Sequence, residues 1–393
     1  MTSDHIPFLN NATDCEIASN WYADSAYVRI SLDTLPKTLK RLPVGPKRWL
    51  DPGMDGLHWP NISSNAYEHH MNRFKGHQLI SDTAFQQKPD KNVVNEFVEK
   101  VLDYCVQQLA VPDWLSVPQL PILGDSSRNK INRALAESTR AWRSKRGFTG
   151  KLIVPAVFTN QRQLNKKTER NKKIAAVLNS YTTASADGVW AVDATLNDQD
   201  GSRTFEHTRF PALVQFHSEL NQSLPPDPIT IAGPYWGINT VIWARGLVKF
   251  SAIGMGNSYQ YHIPGTVVLG GKSRLALSPL RRWVIASPAL KKWLDSVVST
   301  IAATDPSFSD FSSLAKDFAR LQVQLEGRRQ IAQFYKQWFD RFATLPPSGR
   351  ALALYQDLSS AYVLGKNLPE LPEEEKTARS PARIAKQLML NCL

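Results

Sequence analysis

The chain has 393 residues, a formal net charge of +12, and 42% hydrophobic against 21% charged residues, a globular composition that excludes a disordered, collagen-like or coiled-coil protein. Sixteen Phe and 11 Trp supply a large core, and 25 Pro point to many short connections. The longest apolar run, Leu152 to Phe158, falls far short of the roughly 20 residues a membrane helix needs, and residues 1 to 25 are too polar for a secretory signal.

A cytoplasmic protein with no membrane contact is therefore expected. Cys15, Cys105 and Cys392 are scattered and odd in number, which supports neither a disulfide framework nor a zinc site. No metal and no cofactor is predicted. Glu68, His69, His70 and His77 form a histidine cluster whose spacing matches no zinc pattern.

Residues 1–45, with Tyr27 to Leu32 as one strand, read as an N-terminal cap. Residues 46–287 then alternate short aliphatic runs with longer helical patterns, the signature of βα units. Eight strands are predicted: Lys47 to Asp51, Trp114 to Leu120, Lys151 to Thr159, Gly188 to Asp193, Ile229 to Ala232, Ser251 to Gly254, Thr266 to Leu269 and Arg274 to Leu277. Helical patterns lie at Asn92 to Leu109, Arg128 to Arg146, Lys166 to Ala184, Glu206 to Ser223 and Trp236 to Val248. Runs such as Leu152 to Phe158 are apolar on both faces, as buried parallel strands are. A TIM-like (β/α)8 barrel is predicted, with a doubly wound sheet as the alternative; a glycine fingerprint after the first strand, which would favour the latter, is missing. Residues 288–393 read as a C-terminal helical extension, with helices at Leu290 to Ala303, Phe311 to Phe342 and Arg350 to Leu364 and a last one from Pro381.

Charge is concentrated in two of the helical patterns. Between Arg128 and Lys173 stand fourteen Lys or Arg against only Glu137 and Glu169, so this stretch carries the whole net charge. A field of that kind attracts a polyanion, because each neutralised phosphate releases condensed counterions. Arg140, Arg143, Lys145, Arg146, Lys166, Lys167, Arg170, Lys172 and Lys173 are the predicted nucleic-acid-binding residues; a solvated pair of basic helix faces explains the same pattern.

Chemistry in such a barrel gathers at the C-terminal ends of the strands. Asp51 and Asp193 each close an apolar strand, where a carboxylate serves as nucleophile or general base; each also suits an ordinary turn. Predicted substrate contacts are Asp55, Gln119, Asn160, Tyr235, Trp236, Gly254, Gly256 and Asn257. The aromatics there would stack on a base or pack under a helix, and the two glycines would expose backbone N–H groups to an anion or form a tight turn.

The run Leu50-Asp51-Pro52-Gly53 after one strand, Ser116-Val117-Pro118 after the next, and the paired Gly254 and Gly256 resemble in layout the tRNA-guanine transglycosylase barrel and its DNA-acting deazaguanine relatives, over residues 45–280. The resemblance implies exchange of a guanine base through an Asp nucleophile attacking the sugar, with a second Asp in an Asp-Ser-Gly-Gly motif after an early strand. Asp51 matches that second position loosely. Pro52 and Met54 depart from the motif, and the late-strand nucleophile and the Cys and His zinc site have no counterpart here. The expected function is thus an enzyme that modifies or exchanges a base on DNA, RNA or a nucleotide. The alternative is a non-catalytic barrel serving as a nucleic-acid-binding or scaffold subunit, which docks a protein partner through Leu321, Val323, Leu325, Ile331, Phe334, Trp338 and Phe339 of its C-terminal helices.

Overall fold

In a computed structural model the described residues are 4–31, 41–54, 90–108, 112–122, 126–159, 164–196, 199–255 and 272–393. Eight parallel strands close a barrel: β1 (His5–Leu9), β2 (Tyr27–Ser31), β3 (Lys47–Asp51), β4 (Trp114–Ser116), β5 (Lys151–Phe158), β6 (Gly188–Asp193), β7 (Ile229–Ala232) and β8 (Phe250–Gly254). Strand β8 pairs with β1, which completes the ring. The α/β barrel predicted from the sequence is present, but its strands are not all the predicted ones.

Residues 1–45 are not a cap, since they hold the first two barrel strands. β1 reads poorly in sequence because it is five residues long and contains Pro7, which removes a ladder donor. Arg274–Leu277, expected as the eighth barrel strand, instead forms β9, antiparallel to β10 (Arg282–Ile285). The connection at 278–281 is far too short for the crossover that a parallel neighbour requires. Thr266 to Leu269 lies outside the described residues. The predicted strand from Trp114 stops formally at Ser116, yet the chain runs on beside β5, with Val117 N–H donating to Ile153 O and Ile122 N–H to Val157 O.

The helices between strands are α1 (Ala12–Trp21), α2 (Lys91–Gln108), α3 (Ser126–Arg146), α4 (Lys167–Ala184), α5 (Phe210–Ser223), entered through a π-turn at Phe205–Arg209, and α6 (Gly237–Ala244). Then come α7 (Pro288–Thr300), α8 (Phe308–Lys316), α9 (Phe318–Leu321), α10 (Gln324–Ala343), α11 (Pro347–Lys366) and α12 (Arg383–Met389). The hairpin and α7 to α9 bury their own small core around Leu277, Val284, Leu294 and Phe311.

Helix α10 joins that unit to the barrel: on one side Gln330 accepts from Ala276 N–H at 2.8 Å and donates to Ala276 O at 3.0 Å, both in β9. It lies against the barrel beside α1, in the place of the helix that would follow β8. Tyr22 Oη donates to Ala332 O at 3.0 Å, Tyr335 Oη donates to Trp236 O at 3.0 Å, and Phe339 meets the His5 ring at 3.6 Å between centroids. The boundary expected at residue 288 therefore cuts through the outer ring of the barrel. Ile331, Trp338 and Phe339, expected on a docking face, are buried within the chain itself. Among the described residues, no helix is long and apolar enough to cross a membrane.

Candidate active site

Side chains alternate across a strand, so residues two apart share a face. The lumen is identified by rings that meet across it: Phe8 of β1, Trp49 of β3 and Trp190 of β6 have centroids 5.3–5.6 Å apart. Beneath them Tyr27 stacks on Trp114 at 3.5 Å, with Phe250 edge-on to both. Edge-to-face packing of this kind fills the middle of the barrel.

Phe8, Arg29 and Trp49 are register partners on adjacent strands, so Arg29 also points inward. Its guanidinium lies 4.7 Å from the Phe8 ring centroid and 5.6 Å from that of Trp190, a cation-over-ring arrangement that suits the weakly hydrated arginine. Asp51, two residues beyond Trp49, faces the same lumen. Its Oδ2 accepts from Arg29 Nε at 3.0 Å and is also paired with Nη2. The two side chains are only 2% and 4% exposed. Burying such charges is costly unless they are paired, and Arg29 pairs with Asp51 through two nitrogens that meet on Oδ2. Asp51 Oδ1 accepts a longer bond, 3.3 Å, from Gly53 N–H. Gly53 has φ of +67°, and a Cβ there would come 3.2 Å from Ser31 Oγ, so the turn that carries this amide needs glycine.

With Oδ2 occupied by Arg29, Oδ1 keeps acceptor capacity. Asp51 lines a tight crevice, without room for a water molecule, together with Pro52, Met54, Val117, Pro118, Gln119 and Pro155. The recess is apolar except for one carboxylate and one amide.

A second arginine–aspartate pair flanks the first. Asp14, near the start of α1, accepts Asn10 N–H on Oδ2 at 2.8 Å, while its Oδ1 pairs with Arg328 of α10. Arg328 Nε donates to Met255 O at 3.0 Å, just beyond β8. Burial pushes the Asp14 carboxyl above the usual carboxylate range, and Arg328 opposes that shift. The pairs are joined, because Asn10 Oδ1 accepts from Arg29 Nη1 at 3.3 Å. Asn10, Asp14, Arg29 and Arg328 escape sequence reasoning, since β1 and β2 read as a cap and α10 as an appendage. The available signal is Arg29 itself, a charge at an alternating position between Tyr27 and Ser31 in an otherwise plausible strand.

Asp193 does not join Asp51. It stands three residues after Trp190, on the opposite face, paired with Phe158, whose ring packs 4.9 Å from Phe216 on the helix side. There Asp193 Oδ1 accepts from Thr195 N–H at 2.9 Å and Thr195 Oγ1 at 2.6 Å, and Arg209 Nη2 is 3.9 Å away. It is a turn aspartate. Burial pushes its carboxyl up, against the Thr195 bonds and Arg209.

Tyr235 and Trp236 are buried rather than open to a base. Tyr235 Oη accepts from Asp193 N–H, and Trp236 Nε1 donates to Arg281 O at 3.1 Å, its ring packed against Phe334 and Tyr335 beneath α10. Aromatics next to a strand end serve packing here. Gly254 ends β8 opposite Phe8, and Gln119 is buried beside the Asp51 recess. Asp55, Asn160, Gly256 and Asn257 lie outside the described residues, as do Glu68, His69, His70 and His77.

The basic helices are partly neutralised, mostly by acids that are remote in sequence and in one case by a neighbour on the same helix. Arg143 pairs with Asp187 at 3.2 Å and donates to Ser185 O; Lys145 pairs with Glu99, Arg146 with Asp103, and Lys172 with Glu169 at 2.8 Å. Arg170 is buried and forks onto Glu219 at 2.7 and 3.0 Å, clamping α4 to α5. Lys173 is buried as well. Arg170 and Lys173 are therefore not an open phosphate-binding surface. Lys130, Arg140, Lys166 and Lys167 are exposed, and no ion pair joins them to another described residue. Each helix after a barrel strand starts at the mouth, so Lys130, Lys166 and Lys167 lie on that side.

Cys15, Cys105 and Cys392 are buried free thiols, and among the described residues no three His, Cys, Asp or Glu side chains gather as a metal site. Compared with protein-family models and with curated proteins, the sequence matches none.

Proposed function

We propose that the barrel mouth acts on a nucleotide, or on a base within DNA or RNA, in a reaction of base-transfer type, and that Asp51 is the carboxylate that meets the base. The observation that carries this reading is the arrangement at Asp51: Arg29 occupies Oδ2, Oδ1 keeps acceptor capacity beyond its long bond from Gly53 N–H, and the residue lines a crevice with Met54, Val117, Pro118, Pro155 and a single amide, Gln119. The ring N–H or amino edge of a base suits a carboxylate acceptor, and because the crevice has no room for a water molecule, a base reaches Asp51 only by parting these walls.

The cations at the mouth support a polyanionic substrate. Lys166 and Lys167 stand at the start of α4, where the helix dipole disfavours positive charge and where Lys166 makes no side-chain capping bond. A phosphate placed there relieves both costs. The two-aspartate mechanism falls with Asp193, and the sugar-attacking role passes to no other described residue.

The test is calorimetric binding of guanine, 7-deazaguanine and guanosine monophosphate to the wild type and to Asp51→Asn, which keeps size and removes charge. A tenfold or greater weakening in the variant is expected. Binding within twofold of wild type would remove Asp51 from the substrate.

A further inference from the structure

Between α3 and α4 the barrel carries a second cavity, of about 350 Å³, outside the lumen. Its walls are strongly amidic: Asn129 and Asn132 from α3, Asn179 from α4, and Gln119 from the chain after β4, with the buried Lys173 and with Lys172, which also reaches Glu169 at 2.8 Å, added from α4. The walls are fixed. Asn132 bonds both ways to the Leu120 backbone, accepting its N–H at 2.9 Å and donating to its carbonyl at 3.0 Å. Gln119 Nε2 donates to Ser180 Oγ at 2.9 Å.

Gln119 is 3% exposed, and its Oε1 has no hydrogen-bond partner among the described residues. A buried acceptor left unpaired is costly and rare, and it is satisfied when a ligand brings a donor. Gln119 also lines the Asp51 recess, so one side chain forms part of both spaces. The chemistry of the cavity is therefore two-ended, with an acceptor waiting for a hydroxyl or N–H at the barrel end, and amide donors with lysine charge toward the helices.

We infer that this cleft binds a phosphorylated sugar, with a sugar hydroxyl donating to Gln119 Oε1 and the phosphate held by Lys172 and the Asn129 and Asn179 amides. The ligand is either a free nucleotide or one unit of a strand whose base enters the Asp51 recess. The strand version rests on the function proposed above; the phosphosugar site stands without it.

The experiment measures binding of ribose 5-phosphate, guanosine monophosphate and a five-nucleotide single strand by calorimetry, to the wild type and to Asn179→Asp and Lys172→Gln, two exposed positions whose replacement leaves the core intact. Expected is wild-type binding of ribose 5-phosphate, weakened at least tenfold by Asn179→Asp and about threefold by Lys172→Gln. Binding of guanosine monophosphate with the same sensitivity, but not of the strand, assigns the cleft to a free nucleotide. Sensitivity of all three probes assigns it to a strand. If ribose 5-phosphate binds with that sensitivity while guanosine monophosphate and the strand do not bind, the cleft stands and the base-directed function falls. Absence of ribose 5-phosphate binding at millimolar concentration, or binding that ignores both substitutions, overturns the cleft and leaves the Asp51 reading to its own test.

Discussion

Asp51 and Asp193 have nearly the same local sequence, each closing an apolar strand, and each ends up buried near an arginine. Their surroundings nevertheless differ in kind. Asp51 is an even step from Trp49 and enters the lumen, where Arg29 grips it and aromatic rings lie below. Asp193 is an odd step from Trp190 and turns toward the helices, where Thr195 satisfies it and Arg209 stays 3.9 Å away. One residue of phase along a strand thus separates a carboxylate held in the lumen by an arginine from one spent on a turn.

The sharpest way to break this contrast is to remove each arginine. Arg29→Met leaves Asp51 buried without its partner and is expected to cost about 3–5 kcal/mol in urea unfolding, most of it recovered by adding Asp51→Leu. Arg209→Met is expected to cost about 1–2 kcal/mol, because Thr195 still bonds to Asp193. Equal losses at the two sites would erase the distinction.

The pH dependence separates the sites further. Burial raises the Asp193 carboxyl, so the folded chain binds that proton more readily than the unfolded chain, and ionising the group at neutral pH costs stability. That cost is present above the raised value and is relieved as pH falls through it toward the ordinary 3.8. Asp193→Asn should therefore gain most on wild type near pH 7, with the gap narrowing in acid; a constant gap would contradict the raised carboxyl. His217 works in the opposite sense. Burial pushes its imidazole from the ordinary 6.5 down to about 3, so its contribution is full above pH 6.5 and is lost as pH falls from there toward 3. The urea midpoint of wild type should fall between pH 7.5 and pH 5, by less in His217→Gln.

The smallest stability effect is expected at Lys130, Lys166 and Lys167. Changing all three to Gln should leave unfolding within about 0.5 kcal/mol of wild type. If they meet phosphates, the same variant lowers the salt slope of single-strand binding by about one unit for each phosphate that a lysine no longer neutralises. Arg170→Gln should do the reverse, since its fork on Glu219 holds two helices together.

Much of the barrel is legible in the chain. β3 and β5 to β8 show as apolar runs at βα spacing, and helices α2 to α6 as periodic stretches between them. β1 is hidden by Pro7 and its length, and with it goes the pairing that places β2 and Arg29 in the lumen. The strand count comes to eight only by including Thr266 to Leu269, outside the described residues, and Arg274–Leu277, whose antiparallel partner follows within one tight turn. Asp51 is recognisable at the mouth, but the phase of Asp193 is not, because a strand buried on both faces carries no hydropathic alternation to reveal which side is inward. The basic stretch has the same limit. Its neutralising acids Glu99, Asp103, Asp187 and Glu219 lie on other elements and are joined to it only by the fold.

Helix α10 also has a consequence for synthesis. The outer wall over His5 and Tyr22 is built from residues 324–343, after the hairpin and three helices have been made. A chain emerging from the ribosome therefore carries its first strand with an uncovered apolar flank for most of its translation, and Asp14 waits more than three hundred residues for Arg328. Domains generally fold as units, amino-terminal part first, and exposed flanks of this kind invite wrong association. This barrel closes from its far end, so a chain stopped before residue 324 would hold all eight barrel strands and still be unable to shield the first of them.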